Sequence, residues 1–123
     1  MAVTTFPTKS AAYMVTTGLT ALAGGGATGA TALTGVVNTV TVVATDNDSA
    51  ILPADQPQGA RIVVANLDAA QDVKVFPNTG GTINGAAANT GLAVGQQQVA
   101  EFIQIGTGGL TWVAILGAVA TPA

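Results

Sequence analysis

Hydrophobic and polar positions follow their clearest pattern between Gly59 and Gly85 (GARIVVANLDAAQDVKVFPNTGGTING). Residues 60–67 (ARIVVANL) are rich in β-branched side chains, and Asp72 to Phe76 alternate, with Val73 and Val75 on one face and Asp72, Lys74 and Phe76 on the other. Both runs predict strands, and the short polar link Asp68 to Gln71 between them predicts a hairpin. Pro77 cannot donate a ladder hydrogen bond, and Asn78-Thr79-Gly80-Gly81 supplies residues that tolerate positive φ, so the second strand is expected to end at Phe76. Asn84-Gly85 is a further turn signal, set off by the short apolar spacer Thr82-Ile83.

The same period continues on both sides. Residues 36–44 (VVNTVTVVA) predict a strand with Thr39 and Thr41 opposite Val40 and Val42, followed by the polar turn Thr45 to Ser49 and a short apolar stop at Ile51-Leu52-Pro53. Residues 96–105 (QQQVAEFIQI) and 110–116 (LTWVAIL) predict two strands joined by the permissive loop Gly106 to Gly109, a second hairpin. The expected core is Ile62, Val64, Val73, Val75, Phe102 and Trp112, with Phe76 and Phe102 beside the single tryptophan. Residues 30–38 carry a weak helical pattern that Thr31, Thr34, Gly35, Val36 and Val37 oppose. Residues 86–95 read as a small-residue connection. No fixed-period repeat is visible, which argues against a solenoid.

The N-terminal region follows different rules. Residues 1–27 are dominated by Ala, Thr and Gly, with too little large apolar surface to offset the ordering cost of roughly 1–2 kcal/mol per residue. They are expected to form an extended arm packed across a neighbouring surface, or, for residues 10–23, an edge strand or short helix on the chain's own domain, beside a β-domain of residues 28–123. Ala21-Leu22-Ala23 has the small-residue pattern of a secretory cleavage site, but Thr16, Thr17, Gly18 and Thr20 interrupt the apolar stretch before it, so no leader is expected.

Composition narrows the function classes. Charged residues are 7% of the chain, far below the usual quarter, so the surface consists mostly of Thr, Asn, Gln, Gly, Ser and Ala. Strand edges on such a chain have few gatekeeping charges, and contact with further copies or with another protein is expected to cover them. Lys9, Arg61 and Lys74 are the only cations, too few and too scattered for a nucleic-acid backbone. No apolar run approaches the roughly 20 residues of a membrane-spanning helix.

Histidine and cysteine are absent, which removes the commonest general base, the thiol nucleophile and the usual transition-metal ligands. Gly24-Gly25-Gly26-Ala27-Thr28-Gly29 satisfies G-x-G-x-x-G, with Asp46 at about the distance of a ribose-binding acid, yet TTGLTALA before it is no hydrophobic strand and poor helix formers follow. It reads as a close-packing glycine segment. Asp46-Asn47-Asp48 opens like a calcium loop but lacks the rest of the ligand set, so it reads as a turn. The remaining acids stand alone and suggest no glycosidase pair. No catalytic, cofactor-binding or metal-ligating residue is assigned, and no enzyme is expected.

The order TALTGVVNTVTVVATDNDSAILP, then GARIVVANLDAAQDVKVFPNTGGTING, then VAEFIQI and TWVAIL resembles small structural proteins encoded beside the capsid genes of tailed bacteriophages. The resemblance spans roughly residues 28–116 and rests on VFPNTGGTING and its flanking strands. It implies a head decoration (cement) protein on the outer surface of the virion capsid, a homotrimer whose partner is the major capsid protein; a tail or fibre module is the alternative. It also implies a compact β-fold, expected here as an antiparallel β-sandwich or small jelly-roll-like barrel with an extended N-terminal arm.

Overall fold

The computed structural model describes residues 14–118, which contain ten strands and no helix. These are β1 (Val15–Thr20), β2 (Thr31–Ala32), β3 (Val37–Val42), β4 (Asp48–Ile51), β5 (Arg61–Asn66), β6 (Val73–Phe76), β7 (Thr82–Ile83), β8 (Leu92–Val94), β9 (Gln98–Gln104) and β10 (Thr111–Ala118). They form a six-stranded sheet A in the order β1-β3-β5-β9-β10-β7 and a four-stranded sheet B in the order β2-β4-β6-β8.

From β1 to β6 the chain alternates between the sheets, so each link crosses from one to the other and each strand lies parallel to the strand one circuit earlier. The first six strands therefore wind as a short β-solenoid, and neither an antiparallel sandwich nor a jelly-roll barrel describes the path. The all-β class stands. The expectation against a solenoid is overturned: Val15 pairs with Val37 and Val37 with Val63, spacings of 22 and 26 residues, while Thr31 pairs with Ala50 only 19 residues on. Loops of unequal length break the period without breaking the stack.

The expected hairpin between residues 60–67 and 72–76 is also corrected. β5 pairs with β3 and β9, and β6 with β4 and β8, so the Asp68 to Gln71 link is a corner between two sheets. Asp68 shapes this corner by accepting the N–H groups of Ala70 and Gln71 at 3.0 and 2.9 Å. The last third matches expectation more closely. β9 and β10 form an antiparallel hairpin with unbroken register from Trp112 opposite Gln104 to Ala118 opposite Gln98. β9 also runs antiparallel to β5, and this closes the open side of the solenoid.

Alternation along each strand directs one set of side chains between the sheets. Ile62, Val64, Val73, Val75, Phe102 and Trp112 are all buried there, as expected, joined by Leu33, Val40, Leu52 and Val94. Phe76 is buried but lies outside this cluster, with the Lys74 ammonium 5.6 Å from its ring centroid. β6 stops at Phe76, as Pro77 requires, and Gly80, Asn84 and Gly85 adopt positive φ in the turns that follow. The weak helical pattern of residues 30–38 gives no helix but β2, a loop and the beginning of β3, the last within the strand expected at residues 36–44.

The expected boundary at residue 27 falls in the loop between β1 and β2. Within residues 1–27, β1 pairs with β3 at the edge of sheet A, and residues 1–13 lie outside the described residues.

Candidate functional site

The acids and glycines that suggested chemistry come together where the chain turns from sheet A to sheet B. In the G-x-G-x-x-G stretch, Gly24, Gly25 and Gly29 have positive φ, the conformation that glycine adopts without steric cost. The Gly24 N–H donates to Asp48 Oδ1 at 3.2 Å, and the Ser49 hydroxyl donates to the Gly26 carbonyl at 2.6 Å. At Gly25 a side chain is excluded, because a Cβ there would stand 2.6 Å from the Asn47 carbonyl oxygen. The segment leads into the two-residue β2 and no helix follows, so its N–H groups build no helix-terminal phosphate cradle. It lies against the corner of the next circuit.

Asp46 and Asp48 serve this same corner. Asp48 is buried and spends both carboxylate oxygens on backbone N–H groups, Oδ1 on Gly24 and Oδ2 on Thr45 at 3.1 Å. Asp46 Oδ1 accepts the Asp72 N–H at 2.9 Å, and the Asp72 carbonyl accepts the Asn47 N–H at 2.8 Å. Asp72 Oδ1 in turn accepts the Gln96 N–H at 3.3 Å. Successive corners are thus tied by a ladder of carboxylates and backbone amides running from residue 46 through 72 to 96. Asp68 adds a parallel rung through its contact with the Val43 N–H at 3.3 Å. Hydrogen bonds from Ala70 and Gln71, with Val43 contributing, hold the Asp68 carboxyl below its ordinary range.

Buried amides do similar work that the sequence did not announce. Asn38 exchanges two hydrogen bonds of 2.9 Å with Gly35 and donates to the Val63 carbonyl at 3.2 Å. Asn66 donates to the carbonyls of Gln71 and Val94 and accepts from the Asp68 N–H. Gln104 Oε1 accepts from Gly106 and Thr111 and so holds the β9–β10 loop. Gln104 Nε2 and Trp112 Nε1, on paired residues, are buried without a partner among the described residues. The only available signal for these amides was an Asn or Gln inside a strand pattern, where a surface position is the commoner assignment.

Two cavities lie beside the loop between β4 and β5. One, of about 210 Å³, is bounded by Met14, Val36, Pro53 and Ile62, and the other, of about 230 Å³, by Asp55, Pro57, Thr107 and Gly109, with Gln56 on both. Each is smaller than the roughly 300–1,000 Å³ of ordinary small-molecule sites. Among the described residues, no three or more His, Cys, Asp or Glu converge, and no helix is long and apolar enough to cross a membrane.

The outer face of sheet A has a different character. Register places Val15, Val37, Val63, Glu101 and Ile115 in one row across five strands, flanked by Thr39, Ala65 and Val99 on one side and Ile103 and Val113 on the other. Arg61 bridges to Glu101 at 3.1 Å in the midst of this apolar surface. Comparison with protein families, with curated proteins and with solved structures yields no match.

Proposed function

We propose that the protein is a non-enzymatic virion component that decorates the outer face of a bacteriophage head and stabilises it by bridging neighbouring copies of the major capsid protein. The observation that carries this reading is the contrast between the corners and the sheet face. Acids and amides along the corners are committed to the chain's own backbone, while the outer face of sheet A presents mostly Val, Ile and Ala, with Thr39 and one ion pair among them. A broad apolar face of low charge suits a permanent protein interface better than a small-molecule pocket.

The mechanism is avidity. A homo-oligomer that engages several shell subunits at once gains about 10²- to 10⁴-fold over any single contact. Removal of residues 1–13 is the truncation of the expected 1–27 arm that spares β1. The test is co-sedimentation with undecorated shells. The intact chain is expected to saturate shell sites and raise the temperature of shell rupture, and removal of residues 1–13 to reduce occupancy. Binding to host cells or polysaccharide with no affinity for shells overturns the assignment in favour of a tail or fibre module.

A further inference from the structure

We propose that the C-terminal half of β10 is an interface through which two copies of this chain pair edge to edge, continuing sheet A across a two-fold axis. The inference stands independently of the decoration reading, since it rests on one strand edge and not on the sheet face.

The argument starts from where the backbone groups of β10 point. The Thr82 N–H donates to the Leu110 carbonyl and the Asn84 N–H to the Trp112 carbonyl, so the even-numbered residues turn their backbone groups toward β7. The odd-numbered residues face β9, as the bond from the Ile105 N–H to the Thr111 carbonyl shows. β7 ends at Ile83, and the Asn84 side chain then replaces one further residue of strand. Its Oδ1 accepts the Ala114 N–H at 2.8 Å and its Nδ2 donates to the Ala114 carbonyl at 3.1 Å. The same alternation places the N–H and C=O of Leu116 and Ala118 on this edge, where no other strand of the described residues lies.

Natural sheets blunt such an edge with a charge, a proline or a bulge. β1, at the opposite end of sheet A, is blunted, with two register breaks between Thr16 and Thr20 and positive φ at Gly18. β10 has none of these devices. Its register with β9 runs without interruption to Ala118, and the chain carries no charged residue after Glu101. Ile115 is 65% exposed on one face of the strand and Leu116 44% exposed on the other.

These features select a second copy as the occupant. The edge is straight and uncharged, so two copies meet without like-charge repulsion. Because Asn84 occupies Ala114, Leu116 and Ala118 remain for pairing among the described residues. An antiparallel arrangement therefore sets Leu116 opposite Ala118 of the second copy, with Gly117 on the axis, and forms backbone bonds in both directions at each pair. Each copy's Ile115 then extends the apolar outer face of sheet A into its neighbour. The contact is two-fold, whereas the trimer implied by the resemblance requires a three-fold one.

Sedimentation equilibrium of the full chain over a range of concentrations tests the proposal. The mass is expected to rise toward twice the 11.9 kDa of one chain. Leu116→Lys places a charge on the edge and Leu116→Pro removes an N–H that faces no other strand among the described residues, so both are expected to stay at the single-chain mass with unchanged far-UV circular dichroism. Amide exchange on the unmodified chain is a readout that needs no variant, with Leu116 and Ala118 expected to gain protection as concentration rises. A single-chain mass at every concentration, a larger mass that neither variant lowers, or unprotected Leu116 and Ala118 amides in the associated state overturns the proposal.

Discussion

Replacing Asn66 with alanine is expected to destabilise the fold by about 2–6 kcal/mol, a magnitude that follows from three hydrogen bonds made by one buried amide. Nδ2 donates to the Gln71 carbonyl at 2.9 Å and to the Val94 carbonyl at 3.0 Å, and Oδ1 accepts the Asp68 N–H at 3.0 Å. The contact with Val94 is buried, and an orphaned carbonyl there costs roughly 1–3 kcal/mol. The other two groups are partly reached by water, which limits their loss to about 0.5–1.5 kcal/mol each. Urea titration followed by tryptophan fluorescence reads the change as a shift in midpoint at constant slope. Asn84→Gly is the control, because the Asn84 amide also makes two backbone bonds but in an exposed setting, glycine keeps the positive φ of that turn without strain, and the loss is expected to cost less than about 1 kcal/mol. Asn66→Asp keeps the acceptor for Asp68 but turns a carboxylate toward two carbonyl oxygens, so it is expected to be at least as damaging as alanine at neutral pH. A loss below about 1 kcal/mol for Asn66→Ala, or equal losses for Asn66→Ala and Asn84→Gly, refutes the claim that this amide locks the corner.

Two further predictions concern the corners. Gly25→Ala is expected to cost at least about 2 kcal/mol in thermal or urea unfolding, since it adds a Cβ at 2.6 Å from the Asn47 carbonyl oxygen on a backbone with positive φ. Gly26→Ala, with no atom within 4 Å of the added Cβ and no positive φ, is expected to change stability by less than about 0.5 kcal/mol. Asp68 makes stability fall on acidification: its folded carboxyl titrates below the ordinary value of 3.8, so its contribution is complete above that value and is lost as pH drops through the folded pKa. Melting temperatures measured from neutral to strongly acidic pH are expected to fall less steeply for Asp68→Asn than for the unmodified chain, and identical slopes contradict this role.

Much of the local structure was legible because its causes are local. Pro77 has no N–H to give, so β6 ends before it, and Val73 and Val75 share a face because side chains alternate along any strand. The loop Gly106 to Gly109 joins β9 to β10 as its residues predict. β4 was missed because Asp48 and Ser49 are polar residues in a strand, buried only because the glycine segment and the preceding corner supply their partners. β2, β7 and β8 are two or three residues long, too short for any period to register.

The sequence by itself determined an all-β chain with a Val, Phe and Trp core, defined turns and no histidine or cysteine, because each of these depends on residue type and near neighbours. Only the tertiary structure decided that Asp68 to Gln71 turns a corner and makes no hairpin. The partner of β5 on one side is β3, reached through a loop whose length has no repeat, so nothing within the strand specifies it. Tertiary structure likewise decided the role of the acids. Asp46, Asp48 and Asp72 become rungs between circuits because the coil stacks their corners, bringing backbone N–H groups from distant segments to carboxylates that read in sequence as a turn, for Asp46 and Asp48, and as one face of a strand, for Asp72.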